Sequence, residues 1–509
     1  MKFFSLTTFL LLVAINVSAQ TWNQDIAQIV YDHCGQCHHE GGIAPDSFTA
    51  YADASNNASD MLDEILDDHM PPWPANHNYT NFIGENVLTQ EEINLIQAWM
   101  NADAPEGSGT PPPVPTYNDG YQLTSPDEIV TIPNYVVTSN QDVYRSFVIP
   151  STSNENRNIG SIEFDPDNTE IVHHILAFYD PSNVSQQLDD ASSEPGFPSN
   201  GGSFPSDEAV LIGVWVPGMG HTVFPENLAI VLPGGADFVF EVHYAPGSLG
   251  EQANVNMRLD YKEAPFIREV YHSPLLFHGW PSLQEPELFI PANTIQTFHE
   301  ISVEAPVNLS LISVFPHMHL LGKTFKVYGL TPDEDTVRVI DVDHYDFHWQ
   351  FSYTFPTLTL LPQGSRLYGE AMYDNTDAND DNPNNPPADV GLGENTTDEM
   401  MVCFFMYTVH FPGDEDISLV HVNNPPAAMP ESLFVYPNPA LDLVMVDIPN
   451  TIHKVSQVVL INQQGQIIEP KFDFGNGRMT IDTKNLTPGV YDVQVHSSKQ
   501  IMTTRFVKL

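Results

Sequence analysis

LISVFPHMHLLGKTFKVYGL, residues Leu311 to Leu330, opens on an apolar, β-branched run, breaks at a proline followed by two histidines, and resumes as a second run ending at Tyr328 and Gly329. LAIVLPGGADFVFEVHYAP, residues Leu228 to Pro246, repeats the pattern, with Pro-Gly-Gly between its two apolar runs. Short runs rich in Val, Ile, Phe and Tyr, bounded by turn residues, are strand signals. From about Asn118 to Asn424 such runs alternate with turn clusters, which predicts all-β sandwiches of jelly-roll type rather than βαβ units.

Outward from this region the composition changes. Residues 21–106 read as helical: QDIAQIVYDHC places apolar residues at helical spacing, and Thr89 with Glu92 forms a capping box ahead of INLIQAWMNA. GSGTPPPVPTY, Gly107 to Tyr117, reads as a linker, and NNPPAAMPES marks a second break before a final unit at 433–509. The expected organisation is a leader at 1–19, a small all-α domain at 21–106, sandwiches at 118–265 and 266–424, and a small β-sandwich at the end. Lys2, the apolar stretch Phe3–Val17 and Val17-Ser18-Ala19 make the leader a secretory signal. No later segment offers about 20 apolar residues, so no membrane span is expected. A net charge of −49, from 66 acidic against 17 basic residues, excludes nucleic acid as the expected partner. With 41% hydrophobic residues the chain can fill its cores. With 3 cysteines it cannot lean on disulfides.

Two of those cysteines stand in YDHCGQCHHE, Tyr31 to Glu40. Cys34-x-x-Cys37-His38 is the spacing that attaches a c-type haem: two thiols on one turn bond the vinyl groups, and the next histidine ligates iron. A zinc half-site would need a second ligand pair, and no nearby CxxC supplies it. The sixth iron ligand is expected to be Met70 in DDHMPPWP, a stretch that resembles small cytochrome c domains; His69, His77 and Met61 are rivals.

Histidines recur in three β-like stretches: His173-His174 in EIVHHILAF, His243 in FEVHYAP, and His317-x-His319 in SVFPHMHLLGK. In a strand His317 and His319 share a face, ready to chelate one ion. Adjacent His173 and His174 point to opposite faces of a regular strand, so a shared ion needs a strand end or a bulge there. Imidazole serves Cu, Zn, Fe and Ni alike, and spacing alone leaves structural roles open.

Taken together with TTDEMMVCFFMY, these motifs resemble the copper type II, ascorbate-dependent monooxygenases, over Asn118–Asn424. The resemblance implies two copper ions: an electron-storing one on His173, His174 and His243, and an oxygen-activating one on His317, His319 and Met400. It implies O₂ as co-substrate. Two departures stand out. The animal members are disulfide-rich, whereas Cys403 is the one cysteine in this region. Where the amidating members place groups that hold a carboxylate, this chain has Phe315, Val402 and Phe404, which implies a neutral or apolar small-molecule substrate. His221, His344 and His348 are read as structural. DNTDANDDNPNNPPAD, Asp374 to Asp389, reads as a solvated polar loop rather than a Ca²⁺ site, since it lacks EF-hand spacing.

The last unit resembles the type IX secretion sorting domains of Bacteroidota, through Tyr436-Pro437-Asn438-Pro439, Gly489-x-Tyr491 and the terminal Lys508-Leu509. That implies recognition by an outer-membrane translocon and a final place outside the cell or on its surface. The joint expectation is an exported copper monooxygenase that hydroxylates a C–H bond, its electrons passing from an external donor through the haem. A copper carrier without a substrate and an adhesion protein with vestigial metal sites are the rival readings.

Overall fold

Cross-strand pairing organises most of the chain. The computed structural model describes residues 20–508 except 43, 45, 118–120, 170, 200–203, 218, 265, 420–433, 437–439, 442, 448–454, 463–466, 469, 476–477 and 498–500. The leader at 1–19, Pro437–Pro439 and Leu509 therefore lie outside the described residues. Two units separate, Met1–His421 and Val422–Leu509.

The first unit begins with the helical segment. Helical turns at Trp22–Ile26 continue as Ala27–His33, and Tyr51–Asn56, Ala58–Leu66 and Gln90–Asn101 follow. Trp22, Ile26, Val30, Leu62, Ile65 and Trp99 close its core. The capping box is present: Thr89 Oγ1 accepts from Glu92 N at 3.2 Å, and Glu92 Oε2 accepts from Thr89 N at 2.7 Å. The arm after the third helix leaves this core. Ala75 bridges to Val342, Ile83 N donates to Thr354 O at 2.8 Å, and Ala75 and Phe82 join the core of the later sandwich. The linker also packs down: Tyr117 donates to Tyr31 O at 3.0 Å and stacks on His39. Gly35 sits so close to the Tyr117 ring that a Cβ there would collide with it. The helical segment is thus fastened to the second sandwich through this arm, and the linker packs back onto the helices.

Two sandwiches follow. In the first, one sheet runs Phe197–Pro198, Val143–Ile149, Asp237–Tyr244, Val172–Asp180, Val210–Trp215. Its partner sheet runs Glu128–Thr131, Val255–Tyr261, Arg157–Pro166, Leu228–Leu232, Arg268–Glu269. Asp237–Tyr244 is buried on both faces because both are covered. Phe238, Phe240 and Val242 fill the sandwich core, while Val239 faces a second cluster with Leu176, Phe178, Phe315, Met400, Val402 and Phe404. In the second sandwich Tyr271–Phe277, Val402–Val409, Leu309–His317 and Tyr353–Leu361 form one sheet. Thr294–Ile301, Arg366–Asn375, Gly322–Leu330 and Thr336–Val342 form the other. The chain crosses between sandwiches at Glu269–Tyr271, since Arg268–Glu269 still pairs with the first. A buried ion pair locks the crossing: both Arg268 guanidinium NH₂ groups reach Asp414, at 2.7 and 2.6 Å. Among the described residues of these sandwiches one α-helix occurs, Val184–Ala191.

The second unit packs Phe434–Tyr436, Leu443–Asp447, Arg478–Asp482 and Phe472–Gly475 into one four-stranded sheet. Ile467–Ile468, Val455–Asn462, Gly489–Ser497 and Ile501–Lys508 make the other, over a core of Val444, Val446, Leu460, Val493 and Phe506. The chain is mostly β, with a small helical N-terminus.

Candidate metal centres

His174 lies directly opposite His243 across two paired strands, and the register shifts at the next position, where Tyr244 pairs with Val172. His173 is the extra residue at this bulge, so the two adjacent imidazoles turn toward one point instead of opposite faces. Their Nδ1 atoms lie 3.2 Å apart, and one ligand nitrogen from each of His173, His174 and His243 falls within 4.8 Å of the others. Among the described residues this is the group of three His, Cys, Asp or Glu whose donor atoms converge in this way. His243 Nε2 donates to Asp142 Oδ1 at 2.7 Å, while its buried Nδ1 has no partner. An orphaned buried nitrogen aimed among two other imidazoles is what a metal would satisfy. Burial opposes charge on Asp142, but hydrogen bonds from His243 and Thr396 leave its carboxyl below the usual range. Tyr144 stacks on His243 with centroids 4.1 Å apart.

His317 ends the strand Leu309–His317 and pairs with Val402; His319 follows in the turn. Each ring is held through Nδ1, His317 donating to Gln350 Oε1 at 2.6 Å and His319 to Asp398 O at 3.1 Å. Nε2 is then the nitrogen left for a metal, the arrangement by which outer groups orient histidine ligands. Glu399 ties this turn to Met400. Its buried carboxylate accepts from His319 N at 3.0 Å and Leu321 N at 2.7 Å, and Tyr373 donates to Met400 O at 2.7 Å. Burial pushes the Glu399 carboxyl up to about 8 against the pull of these donors.

Burial, reinforced by neighbouring imidazoles, lowers His173 and His319 to about 3, and lowers His174 well below its usual value. His317 falls to about 4, burial being the larger cause. The imidazoles are therefore neutral, with lone pairs available for a metal. An all-nitrogen set and a mixed nitrogen–thioether set both suit copper.

A cavity of about 430 Å³ joins the two sets. His174, His317, His319 and Met400 line it, with Leu176, Phe204, Val214, Phe277, Phe315, Val402 and Phe404 as apolar walls. His278 also faces it, its Nδ1 without a partner. Phe347 stands between the sets, stacked on His173 at 5.1 Å and edge-on to His319 at 5.9 Å.

In the helical segment Cys34 and Cys37 are unpaired thiols, and burial pushes Cys34 up to about 12. His38 Nδ1 donates to Asp46 O at 2.9 Å, leaving Nε2 as its possible iron ligand. This donor set fits covalent haem attachment. Met61 is buried in the helical core, against which Cys34 also packs. Met70, His69 and His77 instead line a cavity of about 940 Å³ between this segment and the second sandwich, with Trp73, Leu88, His344, His348 and Trp349. Cys34, Cys37 and His38 do not line it; the turn meets its rim where Asn86 Nδ2 donates to His33 O at 2.9 Å. The loop Asp374–Asp389 satisfies its own polar groups, as where Asn379 Nδ2 donates to Asp374 O and Asn382 Nδ2 to Asn375 Oδ1. His221 is half-buried and lines neither cavity.

Asp142, Tyr144, Phe347, Gln350 and Glu399 were not foreseen. Glu399 adjoins the expected Met400, and Gln350 closes a stretch noted for its histidines. Nothing in the spacing pointed to Asp142, 101 residues from His243.

Residues 285–421 match the family model "Copper type II ascorbate-dependent monooxygenase, C-terminal domain", and residues 434–509 match "Secretion system C-terminal sorting domain". DBH-like monooxygenase protein 1 of Gallus gallus is 25% identical over 329 residues, 59% of this chain and 53% of that protein. The protein of the same name from Mus musculus is 26% identical over 332 residues, with the same coverage. The chain thus spans about half the length of these relatives. The solved structure of PNGase F, a glycosylasparaginase from Flavobacterium meningosepticum, aligns with 56% of this chain and 96% of its own. At 11% identity and a TM-score of 0.24, that likeness carries no argument. Family-level similarity therefore supports a copper-dependent oxidoreductase, and among the described residues no helix is long and apolar enough to cross a membrane.

Proposed function

We propose that this chain is an exported copper monooxygenase that hydroxylates a C–H bond of a neutral or apolar small molecule with O₂, its electrons drawn from an external donor through a c-type haem. The observation that carries the reading is the single apolar cavity onto which His174 of one set and His317, His319 and Met400 of the other all face. His173, His174 and His243 would hold one copper ion, and His317, His319 and Met400 the second. Cys34, Cys37 and His38 would hold the haem. Bound at these places, the metals would supply one-electron storage and oxygen activation, and the haem single electrons.

The protein's own contribution is orientation and exclusion. Asp142 and Gln350 fix which nitrogen each histidine offers. Glu399 ties the turn that carries His319 to the backbone of Met400. Phe315, Val402 and Phe404 keep water out of the cavity and offer no partner to a carboxylate, whose burial there would be costly. The names of the relatives favour the same chemistry. The sorting-domain match supports a type IX route to the cell surface or beyond.

The test is O₂ uptake by copper-loaded protein across a panel of neutral substrates, with isotope-labelled O₂ and mass spectrometry of the product. Label in a hydroxyl group, lost in Met400→Ile while the haem spectrum stays normal, is the expected result. O₂ consumption that never places label in a product would leave a copper electron carrier. Protein that binds no copper would leave an adhesion protein.

A further inference from the structure

The stretch Asp343–Phe351 runs between the cavity that holds Met70 and both histidine sets. Its outer face borders the larger cavity through His344, Asp346, His348 and Trp349, across from Met70 and Trp73. Its inner face reaches both histidine sets. Phe347 stacks on His173 with an interplanar angle of 21° and meets His319 edge-on at 85°. Gln350 Oε1 accepts from His317 Nδ1 at 2.6 Å. Two ring series lie between the faces, one around Phe351 and one in which His348, on the larger cavity, meets Phe347. Trp73, three residues after Met70, lies 5.9 Å from Phe351, which stacks with Trp349 at 6.3 Å; Phe347 meets His348 at 5.9 Å.

A purely structural role explains part of this. Tyr345 clamps the histidine turn, donating to Met318 O at 2.7 Å. It does not explain why one ring contacts a histidine of each set, or why aromatic residues line the way back to Met70.

We propose that Asp343–Phe351 is the conducting wall between the cavity that holds Met70 and the two histidine sets, with Phe347 as the ring through which both sets couple to it. This rests on the haem-fed reading above. The step moves one electron: ferrous haem becomes ferric and one cupric ion becomes cuprous, with no bond made or broken and no proton required. Phe347 and His348 act by position and are not themselves oxidised or reduced at the end.

Full-length protein carrying ferric haem and cupric copper is held without oxygen, and a deazaflavin photoreductant delivers one electron by flash. The ferrous haem absorbance then decays as the electron moves on, and copper-free protein serves as the baseline. In wild type, decay that requires copper is expected. In Phe347→Leu, decay should slow about tenfold, equal to about 1.4 kcal/mol of barrier, with copper content and haem spectrum unchanged. Phe347→Tyr keeps the ring and should keep the rate. Wild-type decay in Phe347→Leu would overturn the conducting role. So would a slow Phe347→Tyr with normal copper. Should Phe347→Leu fail to hold copper, His348→Leu takes its place, since His348 joins Phe347 to the larger cavity, and a wild-type rate there overturns the proposal equally. Absence of copper-dependent decay in wild type is a different failure, because it removes the haem-fed reading itself.

Discussion

Replacing Glu399 by alanine should both destabilise the second sandwich and release its metal site. Glu399 is fully buried, and its two oxygens accept from His319 N at 3.0 Å and Leu321 N at 2.7 Å, with Met400 N more distant at 3.3 Å. Alanine leaves the first two N–H groups buried without acceptors. Each such orphan costs about 1–3 kcal/mol, so the loss should be about 2–6 kcal/mol. Glu399→Gln keeps one carbonyl oxygen and should lose about half as much. The turn that aims His319 and the backbone N–H of Met400 are the parts released, so one copper should weaken while the His173–His174–His243 set keeps its own. Urea unfolding of copper-free protein, followed by near-ultraviolet circular dichroism, reads the first effect. Because the chain has several domains, the transition assigned to the second sandwich must be resolved from the others. Isothermal copper titration reads the second effect. A Glu399→Ala protein within about 0.5 kcal/mol of wild type, the range of an ordinary surface change, would refute the reasoning.

Asp142→Ala removes the group that orients His243, and should weaken copper at that set by about 10–100-fold, read by competition with a chelator. Asp414→Ala strands the buried Arg268 guanidinium at the crossing between sandwiches; a loss of about 3–5 kcal/mol in chemical unfolding is expected. Glu300 is buried with neither oxygen partnered, and burial, with Glu285 second, raises its carboxyl well above the usual range. Its protonated form favours the fold in acid, and that contribution is lost as pH rises from the ordinary carboxylate range through the raised value. Glu300→Gln should therefore gain stability at neutral and alkaline pH and flatten the profile; parallel profiles would contradict this. Phe404→Ala, in the cavity wall, should enlarge the cavity at a cost of about 3–5 kcal/mol and favour bulkier apolar ligands in binding assays.

The β character of the long middle region was legible because its strands are short, rich in Val, Ile and Phe, and separated by turn residues. The helix Gln90–Asn101 was legible through Thr89 and Glu92, whose side chains sit where the first turn needs acceptors. The crossing at Glu269–Tyr271 was not, since the strand Arg268–Glu269 is two residues long and leaves no periodic trace. In the same way the linker reads as free from its Pro and Gly content. Its packing depends on Tyr117 meeting Tyr31, 86 residues away. Histidine pairs could be seen as candidates, but the groups that orient them could not. Asp142, Gln350 and Glu399 act through folding that brings distant segments together, and single acidic or amide residues carry no spacing signal. Phe347 lay beside the noted His348, yet only the tertiary structure sets its ring between His173 and His319.

Copper stoichiometry tests the central claim most directly. Purified full-length protein, metal-loaded and freed of loose ions, would be assayed for copper by mass spectrometry alongside His243→Ala and His319→Ala. Close to two copper ions per chain in wild type is the expected result, falling to one in each variant and with distinct cupric electron-resonance signals remaining in the two. A wild type that holds one copper, absent from both variants, or a wild type that holds none, would contradict two independent sets facing one cavity.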